Sequence, residues 1–174
     1  MDFHVRPLRR DEAALLDAVF AGLSAQSRYL RFHSPVRNLT APMRQALLAV
    51  DERDHVALVA VTGQGTPLGV ARLIRDPDRA DEAEVAFEVV DAWHGRGVGR
   101  ALLSALAERA ADLGITRIHA LVLAENTAAR ALLRSVFPVC LSRSAGATTE
   151  LTCLPLGAAG WEITMDDILA DLVG

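Results

Sequence analysis

Three glycines at alternate positions, Gly95, Gly97 and Gly99, lie in the run His94-Gly95-Arg96-Gly97-Val98-Gly99-Arg100. Glycine tolerates positive φ and lets the main chain approach a ligand closely. The residues that follow put Leu102, Leu103, Leu106 and Ala110 at helical spacing, so the last glycines open a helix. The first N–H groups of a helix have no partner within it and carry partial positive charge. A segment of this kind binds anions, and its expected ligand is a phosphate or pyrophosphate. Arg96 and Arg100 can add charge-assisted hydrogen bonds. A tight strand-to-helix turn shows the same glycine spacing without binding anything, so the context must decide.

Upstream stand two carboxylates, Glu84 and Glu88, in a stretch that reads as a strand. Their i, i+4 separation places both on one face. A half-buried carboxylate there is expected to have a raised pKa, which suits a base that takes a proton from an ammonium group. In the competing reading both are solvated or ion-paired surface glutamates. Other reactive residue types show less organisation. His4, His33, His55 and His119 lack metal spacing and no metal site is expected. No Gly-x-Ser-x-Gly elbow is present. Cys140 and Cys153 show neither metal spacing nor a disulfide framework; they are expected on neighbouring strands as inert, reduced thiols.

The elements that position these residues follow from periodicity. A first strand is expected over 3–8, then a helix capped by Asp11 with Leu15, Leu16, Val19 and Phe20 inward, ending at Gly22. Short helices follow over 25–32 and from Thr40, with Pro42 in the first turn. Strands are expected over 55–62, 68–74 and 84–90, the last feeding the glycine turn. A helix over 98–113 stops at Gly114. Then come a buried strand over 118–123, a helix over 127–136, and a closing hairpin of 138–143 with 148–154. The order describes an α/β (α+β) fold: a mixed sheet with helices on both faces.

The bulk properties bound the function. The 174 residues suit one α/β domain, and 51% hydrophobic with 23% charged residues is a globular composition. No apolar run is long enough to span a membrane and the N-terminus has no signal-like region, so a cytoplasmic location is expected. A net charge of −4 argues against nucleic acid as partner. All eighteen basic residues are arginine. The absence of lysine fits either a compositional bias or a lysine-modifying enzyme that avoids modifying itself. It also removes a Walker-type phosphate loop, which needs Gly-Lys-Ser/Thr. A dinucleotide fold expects its glycines after the first strand of a parallel array, and here they follow the fourth strand.

With that order in place the chain resembles the GNAT family of N-acetyltransferases. The family's cofactor motif, Gln/Arg-x-x-Gly-x-Gly/Ala after the fourth strand, reads here as 94–99, with His94 where Gln or Arg is usual. Its second motif, Asn-x-x-Ala-x-x-Leu followed by an aromatic, is met by Asn126, Ala129, Leu132 and Phe137. The segment 24–32 further resembles the corresponding helix of bacterial Pat-type protein-lysine acetyltransferases, which would make this chain the catalytic domain alone.

The resemblance implies a mostly antiparallel sheet of about seven strands, a domain over 1–156 and a tail over 157–174 carrying a short helix. It implies acetyl-CoA as co-substrate, bound by Val89, Val90, His94, Gly95, Arg96, Gly97, Val98, Gly99, Arg100, Ala101, Asn126 and Ala129. Backbone near Val89 and Val90 would polarise the thioester. Glu84 falls at the family's base position and ranks before Glu88.

The acceptor implied is an amine, a protein lysine first and a small molecule or antibiotic second, with the protein as monomer or homodimer. One departure stands out. Many members carry a tyrosine after the asparagine motif to protonate the thiolate; Leu133 takes that place, and Tyr29 is the only tyrosine in the chain. That departure keeps a third reading open, a non-catalytic acyl-CoA-binding module.

Overall fold

The computed structural model describes residues 2–137 and 139–155. Its elements are β1 (Phe3–Pro7), α1 (Ala13–Ala21), α2 (Ala25–Phe32), α3 (Ala41–Leu47), β2 (His55–Thr62), β3 (Pro67–Arg75), β4 (Glu82–Val89), α4 (Val98–Asp112), β5 (Arg117–Leu123), α5 (Thr127–Val136), β6 (Val139–Ala145) and β7 (Thr148–Leu154). The strands form one sheet in the order β1-β2-β3-β4-β5-β7-β6. Every pairing is antiparallel except β4 with β5. This is the mixed sheet that the order of elements implied, and the mostly antiparallel seven-stranded one that the resemblance implied.

Both faces of the sheet are covered, which explains why its central strands read as unbroken apolar runs. Along β2 the period of two sends Val56, Leu58 and Ala60 to one face and Ala57, Val59 and Val61 to the other. The first set packs beneath α4, whose Val98, Leu102, Leu103, Leu106 and Ala110 are buried. The second packs beneath α1 through Val19, and a smaller cluster of Leu16, Phe20 and Leu39 ties α1 to the segment leading into α3. Each side chain of this size taken from water contributes about 1.5–3 kcal/mol.

Two local expectations change. Asp11 does not cap α1: Glu12 takes the N-cap position and makes no side-chain cap bond. Its carboxylate instead accepts two hydrogen bonds from Arg6 of β1, at 2.9 and 2.7 Å, and one from the Arg9 amide. A bidentate guanidinium is a stronger partner for a carboxylate than a single amide. Second, Cys140 and Cys153 are not reduced thiols. They face each other across β6 and β7, with Cα atoms 4.1 Å apart, and are joined as a disulfide. The reason is register, since close cross-strand pairs bring two Cβ atoms within bonding reach of their sulfurs. The hairpin strand expected over 138–143 is described as Val139–Ala145, and residue 138 and the tail expected over 157–174 lie outside the described residues. Among the described residues no helix is long and apolar enough to cross a membrane.

Candidate active site

Between β4 and β5 the ladder closes only at Glu82–Arg117, Ala83–Ile118 and Glu84–His119, although both strands continue beyond it. The two strands therefore part, and a cleft of about 750 Å³ opens over the gap. The parting leaves the β5-facing edge of β4 without a ladder partner beyond Glu84, and backbone groups on such an edge are available to an extended ligand.

At the far end of β4 the chain turns through a short 3₁₀ segment, Asp91–Trp93, into the glycine run. Gly95 and Gly97 have φ of +71° and +84°, which side chains other than glycine rarely adopt. A methyl group at either would meet no protein atom within 4 Å, so the loop faces open space. Gly97 is the N-cap of α4 and offers no capping side chain. The first helical bond runs from the Ala101 amide to the Gly97 carbonyl, so the amides before Ala101 point out of the helix. Gly99 serves packing: a Cβ there would lie 2.7 Å from Leu132 of α5.

The other sequence-expected residues fall into three groups. Glu84, Glu88, Val89, His94, Gly95, Gly97, Val98, Gly99, Arg100, Asn126 and Ala129 border the cleft. Val90 turns the other way, against Gly22 and the α1-side core, and its amide is taken by the Leu68 carbonyl. Arg96 lies outside the cleft lining, with its guanidinium 5.2 Å from the Trp93 ring centre; Ala101 begins the helical ladder. His94 Nε2 donates to the Val89 carbonyl, 2.8 Å away. Asn126 caps α5, its side-chain oxygen accepting from the Ala129 amide at 3.1 Å. A cap of this kind contributes about 1 kcal/mol.

Glu84 and Glu88 share a face as expected, but their surroundings differ. Glu84 is exposed and borders the cleft where β4 and β5 part. Glu88 is buried between two arginines: Arg31 of α2 donates to it at 2.6 Å and Arg72 of β3 at 3.4 Å. Burial pushes the Glu88 carboxyl up, but the nearby Arg31 and Arg72 charges outweigh it and hold the group below the ordinary carboxylate range. The raised pKa expected of a half-buried base is thus reversed at Glu88, because two cations share one anion. Arg72 is itself almost fully enclosed and also donates to the Leu47 carbonyl at 2.8 Å.

Sequence reasoning missed Arg31 and Arg72, which lie 57 and 16 residues from Glu88 and share no motif with it. His119 is also drawn in, at 2.8 Å from Glu82 and beside Glu84 in register. On the acid side, Leu133 is buried in the core, and α2 lines the cleft with Ser27, Leu30 and Arg31 but not with Tyr29.

A strand pair that parts beside a glycine-led helix start, with helices on both faces, makes an open cleft whose available donors are main-chain amides. The chain belongs to the acetyltransferase (GNAT) family, whose model matches residues 19–137. It is 34% identical over 150 residues to Acetyltransferase Pat of Mycolicibacterium smegmatis, a match covering 85% of this chain and 45% of the relative. The chain thus spans less than half the length of that relative. Its structure resembles the GNAT domain of S. lividans PAT, with a TM-score of 0.78 and 32% identity over 85% of this chain and 88% of the other. It also resembles the cAMP-binding acyltransferase from Mycobacterium smegmatis, with a TM-score of 0.60 and 30% identity over 97% and 49% of the two chains.

Proposed function

We propose that the chain transfers an acetyl group from acetyl-CoA to a protein lysine, with Glu84 as the base. The observation that carries this reading is the contrast on β4. Glu84 is an exposed carboxylate at the parting of the strands, whereas Glu88 is spoken for by two guanidiniums. The likeness to Acetyltransferase Pat supports a lysine as acceptor.

In this reading the amides at the start of α4, with Arg100, hold the pyrophosphate of the donor, and the unpaired edge of β4 holds its extended arm. Glu84 removes a proton from the acceptor ammonium, directly or through water, because an ordinary lysine near pKa ~10.4 is almost wholly protonated at neutral pH. The amine nitrogen then bonds to the thioester carbonyl carbon, the carbon–sulfur bond breaks, and the second nitrogen proton passes through water to the leaving thiolate, giving the neutral amide and the CoA thiol. No side chain is assigned to that last step, since Leu133 is buried and Tyr29 lies off the cleft. The reading takes 1–156 as the catalytic domain and 157–174 as an appended tail.

The test is CoA release from acetyl-CoA in the presence of lysine peptides, free amino acids and aminoglycoside-type amines. Faster release with lysine peptides than with any small amine is the expected result. Tight acetyl-CoA binding without turnover on any acceptor would leave a binding module instead.

A further inference from the structure

From residue 18 to residue 50 the chain contains no acidic residue, yet Arg28, Arg31, Arg37 and Arg44 all fall there, in a protein whose net charge is −4. This stretch runs from the end of α1 through α2 and α3, with Arg37 in the loop between the last two, and α2 is one wall of the cleft through Ser27, Leu30 and Arg31. Two of the arginines have counter-charges. Arg44 pairs with Asp17 at 2.6 Å, and Arg31 pairs with Glu88, which it shares with Arg72. Arg72 is almost fully enclosed beneath that pair, so the Arg31–Glu88–Arg72 group adds no exposed charge to the wall. Among the described residues no salt bridge engages Arg28 or Arg37. Arg28 is fixed in place, its guanidinium 4.3 Å from the Phe20 ring centre and donating to the Arg37 carbonyl at 2.9 Å.

The opposite rim has the reverse sign. Glu84 is exposed there and borders the cleft, and outside the lining the loop entering β4 carries exposed Asp78 and Asp81 on either side of Arg79, which pairs with Glu82. The acceptor end of the cleft is therefore polarised, negative where an ammonium must arrive and positive along α2.

We infer that the α2–α3 wall is a docking surface for acidic peptide, selecting acceptor lysines that have Asp or Glu nearby. The inference rests on the lysine acetyltransferase reading and names its substrate class. Spacing supports it. Glu84 and Glu88 are four strand residues, roughly 13 Å, apart, and Arg31 sits at the Glu88 end. A peptide extends at most about 3.3–3.6 Å per residue. An acidic residue within about four positions of the lysine therefore reaches the wall while the amine reaches Glu84. A nucleic acid fits less well, because its phosphates would run past Glu84, Asp78 and Asp81.

The experiment measures binding, so it does not depend on turnover. Fluorescent peptides of one length, with arginine in place of the central lysine and flanked by Glu or by Gln, are titrated into the full chain with acetyl-CoA present. The Glu peptide should bind about tenfold more tightly, the scale of a few exposed charge contacts. That preference should collapse at roughly 0.5 M salt, where the Debye length falls well below its ~10 Å at 0.1 M. It should vanish in R28Q/R37Q and persist in R28K/R37K, which keeps the charge. Equal binding of the two peptides, or tighter binding of a single-stranded RNA oligonucleotide than of the Glu peptide, overturns the inference. CoA release with the lysine-containing versions is read in parallel. Turnover without an acidic preference sinks this inference alone, while an acidic preference without turnover sinks only the catalytic reading.

Discussion

The donor half of the cleft and its acceptor half are built from different materials. The donor half uses main chain: amides at the start of α4, the open edge of β4, and glycines that keep side chains away. The acceptor half uses side chains brought together from distant segments: Glu84 and Glu88 from β4, Arg31 from α2, Arg72 from β3. A site built of backbone groups is expected to tolerate exchange of neighbouring side chains, and His94 stands here where the resemblance leads to Gln or Arg. A side-chain site instead distributes one charge among several claims, so neighbouring glutamates take different roles. The two halves are joined at the β4–α4 turn, where Asp91 binds the amide of Ser24 and donates its own amide to the Gly22 carbonyl.

The largest effect should separate the two glutamates. Glu84→Gln removes the proposed base and should lower kcat by about 10²–10⁴-fold, the usual contribution of general base catalysis. Acetyl-CoA affinity should stay within twofold, measured by calorimetry, because the donor half is main chain. An unchanged kcat would return the base to Glu88 or to solvent.

Glu88→Gln should act on stability first. Removing the shared carboxylate leaves Arg31 and Arg72 facing each other in a buried site, and breaking a buried pair costs about 3–5 kcal/mol. Denaturant unfolding measures this directly. The pH dependence has a definite sign. The folded Glu88 carboxyl lies below its ordinary value of 4.5, so as pH falls the unfolded chain takes up the proton first. Its contribution is complete above that ordinary value and is lost as pH drops through the folded one. Glu88→Gln should therefore flatten the acid limb of the wild-type stability curve; an acid limb that keeps its slope would show that the pair is not what acid titrates.

The donor half is probed by Gly97→Val. A residue with φ of +84° strains any branched side chain, at about 1–2 kcal/mol, and the added carbons project into the space the loop faces. The Kd for acetyl-CoA should rise about tenfold or more, with 1.4 kcal/mol for each factor of ten. Gly99→Ala tests a different role, because its Cβ meets the tip of Leu132, a side chain that can shift. A smaller rise in Kd there than at Gly97 would confirm that the first glycines serve ligand approach and the last serves packing.

The contrast between the halves also explains what was legible beforehand. Regular elements and the glycine loop follow from local rules, such as helical spacing in α4, Thr40 at the start of α3, and the apolar run of β2. The parting of β4 and β5 follows from no local rule, since Glu82–Val89 and Arg117–Leu123 read as ordinary strands throughout. The sharing of Glu88 by Arg31 and Arg72 depends on tertiary approach, and nothing about three separated charged residues announces it. Asp11 misled for a related reason. A capping residue type was present, but the competing Arg6–Glu12 pair forms across an element boundary.

The smallest effect concerns the disulfide, which was unexpected for the same reason: cross-strand register lies beyond local pattern. It joins β6, the outermost strand, to β7, with a sequence separation of 13 between the cysteines. In the chain-entropy account a link of this length contributes up to about 3 kcal/mol. Part of that acts on an edge hairpin that can open separately from the rest of the sheet. Reduction should therefore lower the unfolding free energy by about 2 kcal/mol, and amide exchange should quicken in 139–154 before it does so in α4. Neither cysteine borders the cleft, so acetyl-CoA binding should survive reduction. Uniform acceleration of exchange through α4 and β4 would instead mean that the edge hairpin and the donor half unfold as one unit, and the division between the halves would then be chemical only.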